Sequence, residues 1–343
     1  MHSSFTDIGQ FREVIRGIKQ AAQFVGIDEN GEVIVNREAD MPVVKFHGTV
    51  KIHGTNAGIA EDKDSNMWYQ GRTQVVSIRK DNAGFAFFAE SKKDIFHDFI
   101  QSIRKKTNIW DKTIVIFGEW CGGNIQKGVA ICGLPKMFVI FAVKVVKDTN
   151  SYYLTRDVWS EYSSPDNHIF NINDFPSFDI DIDFSNPALV QNRLIEITEE
   201  VEKECPVAKC FGVSGIGEGV CWEGYYKDSR YIFKVKGEKH SVSKVKKLAE
   251  VDVEKINSIQ EFVNYAVTEN RLNQGIEQVF TSNGEIPNRS KTGDYLRWIV
   301  NDIAKEEMDT MISNNLEPKD VNKYISEKAR KWFFAKLDEE ISL

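Results

Sequence analysis

Six consecutive residues, Lys51-Ile52-His53-Gly54-Thr55-Asn56, put an amine, an imidazole, a hydroxyl and an amide within one short stretch. A lysine amine attacks only when neutral, and an ordinary pKa of about 10.4 leaves roughly 1 in 2,500 molecules neutral at pH 7. A site that used Lys51 as a nucleophile is expected to lower that value, and cationic neighbours are one means of doing so. The sequence supplies them. Phe233-Lys234-Val235-Lys236 reads as a strand, and the strand period of two sends both lysines to one face. Two ammonium groups on one face repel unless they share an anion, and phosphate is the obvious candidate. Two glutamates complete the set. Glu119 ends the largely apolar run Thr113–Gly118 and needs a partner or a pocket, because burying it alone is costly. Glu218 lies in Gly215-Ile216-Gly217-Glu218-Gly219, whose glycines lack the spacing of a dinucleotide-binding loop and precede no clear helix.

Strands are the elements that must position these groups. Val43–Val50 reads as β and delivers Lys51 at its end, with a tight turn at Gly54 leading into Ala57–Ala60. Further strands are expected at Asn66–Thr73, Thr113–Glu119 and Lys136–Val143, and one helix at Phe85–Phe99 with a basic face that includes Lys92 and Lys93. Asp179, Asp181 and Asp183 alternate along Phe178–Phe184; a metal could use them, but charges of this kind more often guard a solvated strand edge. Gln191–Glu204 reads as a charged helix. At the N-terminus, Phe11, Val14, Ile15, Ile18 and Ala22 recur at helical spacing, and Asp28-Glu29-Asn30-Gly31 supplies a turn between two short strands. No chemistry is evident in these first forty residues. Residues 255–343 read as all-helical, with turns at Asn283-Gly284 and Pro287 and a late apolar face of Trp332, Phe333, Phe334 and Leu337. Between the two regions, Lys239, His240, Lys244, Lys246 and Lys247 form a basic strip suited to RNA.

At 343 residues the chain is long enough for two domains. A net charge of −7 argues against a uniformly basic nucleic-acid coat, yet a local basic groove is compatible with it. The five cysteines, an odd count with no CxxC pair, point away from a disulfide framework or a zinc site and toward a reducing cytosol. Neither a signal peptide nor a run of about 18 apolar residues is present.

Lys-x-His/Asp-Gly is the attachment signature of the covalent nucleotidyltransferases: DNA ligases, RNA ligases and mRNA capping enzymes. Spelled as Lys51–Asn56, it resembles the RNA ligases, above all the RNA ligase 2 family typified by the T-even bacteriophage enzyme. Four further segments resemble that family in the same order: Gly71-Arg72-Thr73, Phe117-Gly118-Glu119 with the following Asn124-Ile125-Gln126-Lys127, the glycine-flanked Glu218, and Lys234-Val235-Lys236. The resemblance implies an α+β fold: an adenylyltransferase (ATP-grasp-like ligase) domain of antiparallel sheets with helices over residues 1–245, then a small all-α domain over 250–343. It implies Lys51 as the residue that takes AMP from ATP, with Ile52 and Asn56 against the nucleotide. Arg72 would contact the ribose and the RNA end, and Glu119 the ribose hydroxyl. Phe141 would stack on adenine, with Phe138 as the alternative. Many relatives carry aspartate where this chain has Ala142. Lys234 and Lys236 would close the pocket, and Glu218 would contact Mg²⁺, joined through water by Asn56. His53 would serve the later steps, and Arg271 and Asp302 would serve sealing. The substrate implied is RNA with 5′-phosphate and 3′-hydroxyl ends, as in a nicked duplex, handled by a cytoplasmic monomer in RNA repair, with a phage or viral source one option. A DNA ligase or capping enzyme is the nearest rival, and a non-catalytic RNA-binding relative the next.

Overall fold

The computed structural model describes residues 2–147, 151–237, 239–240, 259–313 and 316–341. Lys244, Lys246 and Lys247, and the expected boundary near residue 250, lie outside the described residues. In chain order the strands are β1 (Phe24–Ile27), β2 (Val33–Val35), β3 (Val43–Val50), β4 (Thr55–Glu61), β5 (Met67–Gly71), β6 (Val75–Val76), β7 (Thr113–Cys121), β8 (Met137–Val146), β9 (Tyr152–Tyr153), β10 (Ile169–Asn171), β11 (Ser177–Asp183), β12 (Gly219–Tyr226) and β13 (Ser229–Lys236). The helices are α1 (Phe11–Gln23), α2 (Phe85–Ser91), α3 (Lys93–Thr107), α4 (Arg156–Trp159), α5 (Gln191–Lys203), α6 (Pro206–Cys210), α7 (Ile259–Ala266), α8 (Glu269–Val279), α9 (Thr292–Ser313) and α10 (Pro318–Ile341). The chain divides into two units, Met1–Gly237 and Glu238–Leu343.

In the first unit, a seven-stranded sheet runs β10-β8-β7-β4-β5-β6, with β9 paired to β8. A four-stranded sheet runs β11-β3-β12-β13, and β1–β2 form a separate hairpin. Most pairings are antiparallel; β10 joins β8 in parallel. The central strands β4, β7 and β8 are apolar on both faces, so the larger sheet is covered on both sides. Phe85, Phe96, Phe138 and Trp120 fill one face; Ala60, Val115, Phe117 and Ala142 fill the other. In the smaller sheet Gly48 is obligatory, because the Trp222 ring lies where a Cβ would stand, at 2.7 Å. Trp222 in turn stacks on Phe233.

The aspartates of β11 are exposed on an edge strand, in keeping with a solvated edge. The single helix expected over Phe85–Phe99 is instead two. Lys92, at φ −120° and ψ 18°, ends α2, and its ammonium donates to Asn167 Oδ1 at 2.9 Å. All five cysteines are free, and no helix among the described residues is long and apolar enough to cross a membrane. The second unit packs α7–α10 around Phe262, Leu272, Phe280, Tyr295, Ile299 and Phe333, with Tyr295 and Phe333 stacked at 4.3 Å.

Candidate active site

Lys51 leaves the end of β3, its backbone N–H donating to the Gly219 carbonyl at 2.8 Å. Four residues later, at Thr55, the chain enters β4, so the motif crosses from the smaller sheet to the larger one. Gly54 makes that crossing possible. A Cβ there would fall 2.4 Å from the Trp120 carbonyl and 3.0 Å from Glu119 Cγ, so only glycine lets the motif lie against the end of β7. The Gly54 N–H donates to Glu119, and strand register sets Asn56 opposite Glu119.

Glu218, just before β12, is the hub. It is 3% exposed, and its Oε2 accepts from Lys51 Nζ at 2.7 Å and lies 2.9 Å from His53 Nδ1. Its Oε1 meets Lys236 Nζ at 3.1 Å. Lys234, two residues earlier on β13, stands opposite Cys221. Lys51, His53, Glu119, Glu218 and the strand that carries both lysines are therefore brought together from four places in the sequence.

The electrostatics reverse one expectation. Burial by itself would push the Lys51 pKa down, but the charge of Glu218 overrides it and holds the ammonium above its ordinary range. Lys51 is thus kept protonated in this arrangement rather than activated. The reason is geometric: the nearest charge is the carboxylate, and Lys236 is bound to its other oxygen. Burial raises Glu218 too, but Lys51, Lys236 and His53 outweigh it, and its carboxyl sits well below the usual range. Lys236 is lowered, by burial first and then by Lys51 and Lys234. Glu119 is pushed up to about 7 by burial, with Glu218 adding to the shift and Lys51 opposing it.

Other expected residues lie differently. Ile52 is buried in the core, leaving only its backbone to a ligand. Phe138 is fully buried against Phe85 and Phe96, which rules it out as a stacking face. Phe141 is the extra residue where the β7–β8 register shifts; Phe117 pairs with Ala142 and Gly118 with Ile140. It is half-buried, with the Phe5 ring 5.0 Å away. Arg72 is exposed and paired with Asp7 at 2.8 Å. Arg271 and Asp302 do meet, at 2.8 Å, but the Arg271 side chain is 0% exposed. It also reaches Glu306, Glu307 and the Ala266 carbonyl. The guanidinium is thus held by carboxylates and backbone of its own unit. Sequence reasoning missed a second, half-buried knot: Glu223 accepts from Arg156 at 2.6 Å and from Arg230 and Tyr225. Only its place in the alternation of β12 hinted at it.

A lysine pinned by a buried carboxylate, with a second carboxylate and two more lysines around it, is an arrangement that can accept a polyanion. A model of the RNA ligase family matches residues 44–236, more than half of the chain, and the chain belongs to that family. Among solved structures it is similar to the RNA ligase of Naegleria gruberi with pyrophosphate, at 16% identity and a TM-score of 0.43, over 69% of this chain and 56% of that one. A variant of that ligase with ATP and manganese matches at 17% and 0.42 over 68% and 56%. Another, with AMP and manganese, matches at 17% and 0.43 over 69% and 56%. The chain thus spans just over half the length of those ligases. No curated protein matches it.

Proposed function

We propose that the protein is an ATP-dependent RNA ligase of the RNA ligase 2 type, working through a lysine–AMP intermediate. The observation that carries this reading is the Lys51–Glu218 pair at 2.7 Å, with Lys236 on the same carboxylate, in a chain of the RNA ligase family. Glu218 serves as the reservoir of negative charge that decides when Lys51 is free. His53 and Lys236 share that carboxylate, so a shift of its charge toward other cations loosens Lys51. The ammonium then gives up its proton, and the amine attacks the α-phosphorus of ATP. A P–N bond forms, the bond from that phosphorus to the bridging oxygen breaks, and pyrophosphate leaves. Lys234 and Lys236 offset charge on the phosphates. AMP then passes to an RNA 5′-phosphate, and a 3′-hydroxyl attacks that phosphate and expels AMP, with His53 assisting these later steps. Phe141 stacks on the base, while Arg72 and Glu119 take the ribose.

The residues present fit a divalent ion. Among the described residues no three His, Cys, Asp or Glu side chains form a ligand cluster. Mg²⁺, however, takes most of its ligands from water and substrate phosphates. Asn56 Oδ1 is buried without a hydrogen-bond partner, and Glu218 supplies the carboxylate. Those two would hold the ion, Asn56 through water, and when bound it would draw charge from the phosphates. Manganese in the Naegleria structures is in keeping with this. Arg271 and Asp302 serve sealing, on this reading, by fixing the helical unit that places RNA. The substrate is RNA with a 5′-phosphate and a 3′-hydroxyl, and the resemblance adds a nicked duplex, a monomer and intracellular repair.

Incubation with α-labelled ATP or GTP tests the reading. Covalent label from ATP is expected, and none from Lys51→Ala. Label from GTP would indicate a capping enzyme, and wild-type labelling of Lys51→Ala would end the proposed chemistry. The rate at saturating ATP should climb with pH through the alkaline range, because the neutral amine is the reactive form and Glu218 holds its pKa high.

A further inference from the structure

The segment before α1 is fastened into the first unit over its whole length. Ser3 exchanges hydrogen bonds with the buried Gln70 side chain, its N–H donating at 3.1 Å. Lys144 Nζ donates to the Ser4 carbonyl at 3.0 Å, and the Thr6 N–H donates to Tyr153 Oη at 2.8 Å. Further on, the Lys234 N–H donates to the Gly9 carbonyl at 3.1 Å. Gln70, Lys144 and Tyr153 belong to the seven-stranded sheet, whereas Lys234 belongs to the four-stranded one. A strap of about eight residues therefore ties together the two sheets that supply the site.

Phe5 lies at the middle of this strap. Its ring meets Phe117 at 5.3 Å, Phe141 at 5.0 Å and Tyr153 at 5.4 Å, all in edge-to-face geometry. The Arg230 guanidinium, on the opposing sheet, lies over the Phe5 ring at 5.8 Å. Phe141 is the bulged residue of β8, so the strand ladder does not fix its direction as it fixes that of its neighbours. Phe5 crosses it at 73° and packs against it. Edge-to-face contact takes up one side or one edge of a ring and leaves a face for another stacking partner.

We propose that Phe5 is a positioning residue for nucleotide binding: it sets the orientation of Phe141, the ring on which the base stacks. This rests on the nucleotide reading above. It assigns work to a part of the chain whose sequence shows none, and it makes binding of the base depend on the N-terminal strap.

Phe5→Leu in the full chain is the test, because leucine keeps an apolar side chain among Phe117, Phe141 and Tyr153 while removing the ring edge. Self-labelling is measured against ATP concentration for wild type, Phe5→Leu, Phe141→Leu and the double variant. The expected result is a KM for ATP raised about two- to tenfold in Phe5→Leu, the range of an aromatic pair, with the rate at saturation within about twofold. The double variant should match Phe141→Leu, since the effect acts through that ring. Unchanged KM with a lowered Tm would overturn the proposal by making Phe5 only structural. A lowered KM would overturn it by making the strap a competitor of ATP, and additive effects in the double variant by severing Phe5 from Phe141. Absence of label in wild type defeats the nucleotide reading itself, and so is distinct from these three results.

Discussion

Each unit of the protein contains a buried charge that gathers several partners of opposite sign, an anion in the first unit and a cation in the second. In the first, the carboxylate of Glu218 gathers Lys51, His53 and Lys236. In the second, the guanidinium of Arg271 gathers Asp302, Glu306 and Glu307. Their surroundings differ. Around Glu218 the partners keep 14–21% of their side-chain surface exposed, and each is a polar group that another anion could recruit. Arg271 is 0% exposed and its partners Glu307, Glu306 and Asp302 keep 1%, 14% and 18%, while the backbone carbonyl of Ala266, at the end of α7, takes a further N–H. A charge whose partners can turn away is suited to chemistry. A charge that ties α8 to α9 and to the last carbonyl of α7 is suited to holding helices in register.

Separating the units gives the largest expected effect. A chain ending near residue 250 retains Lys51, Glu119, Glu218, Lys234 and Lys236 and should still label itself from ATP. It should fail to join a nicked RNA duplex, because holding two ends in line is worth about 7–11 kcal/mol of effective concentration. Efficient joining by the short chain would mean that the helical unit does something other than place RNA.

Arg271→Met comes next. It leaves three carboxylates with their common cation gone, and removing one partner of a buried pair costs about 3–5 kcal/mol. Thermal unfolding of the full chain should show the helical unit melting earlier, with self-labelling retained. Melting as in wild type would place Arg271 nearer to solvent than its burial indicates and favour a direct RNA contact.

The smallest effect concerns Glu119→Gln. The folded protein holds the Glu119 pKa at about 7, above the ordinary 4.5. Between those values the folded state keeps a proton that the unfolded chain has lost, so this group makes stability fall as pH rises from about 4.5 to 7. Glu218, shifted the other way, adds stability above the ordinary carboxylate range that is lost as pH drops below it. Glu119→Gln should therefore raise Tm more at pH 8 than at pH 5. An equal change at both values would show that Glu119 is ionised throughout and that the crowding of carboxylates around Lys51 is relieved in another way.

Much of this protein is local and so was legible in the chain. The alternation of Val43–Val50 and Tyr231–Lys236, the apolar run before Glu119 and the helical spacing from Phe11 to Ala22 each depend on neighbours a few residues apart, and each became the element its pattern implies. The same holds for the Lys51–Asn56 motif, whose amine, imidazole, hydroxyl and amide are evident before any contact is known. The break at Lys92 was missed because it depends on Asn167, 75 residues away.

What the sequence could not decide were the states and surroundings of those residues. Lys234 and Lys236 suggested a lowered Lys51 pKa; the fold holds it high instead, because Glu218 comes to 2.7 Å from a position 167 residues further on. Phe5 carries no motif, yet β8 brings Phe141 to it by bulging at one residue. Nothing in the sequence around Arg271 shows that its side chain is fully buried in the fold. Residue type and spacing fix which groups are available, since they are properties of the chain. Burial and the sign of the nearest charge are set by segments distant in sequence, and those meet only when the sheets and helices pack.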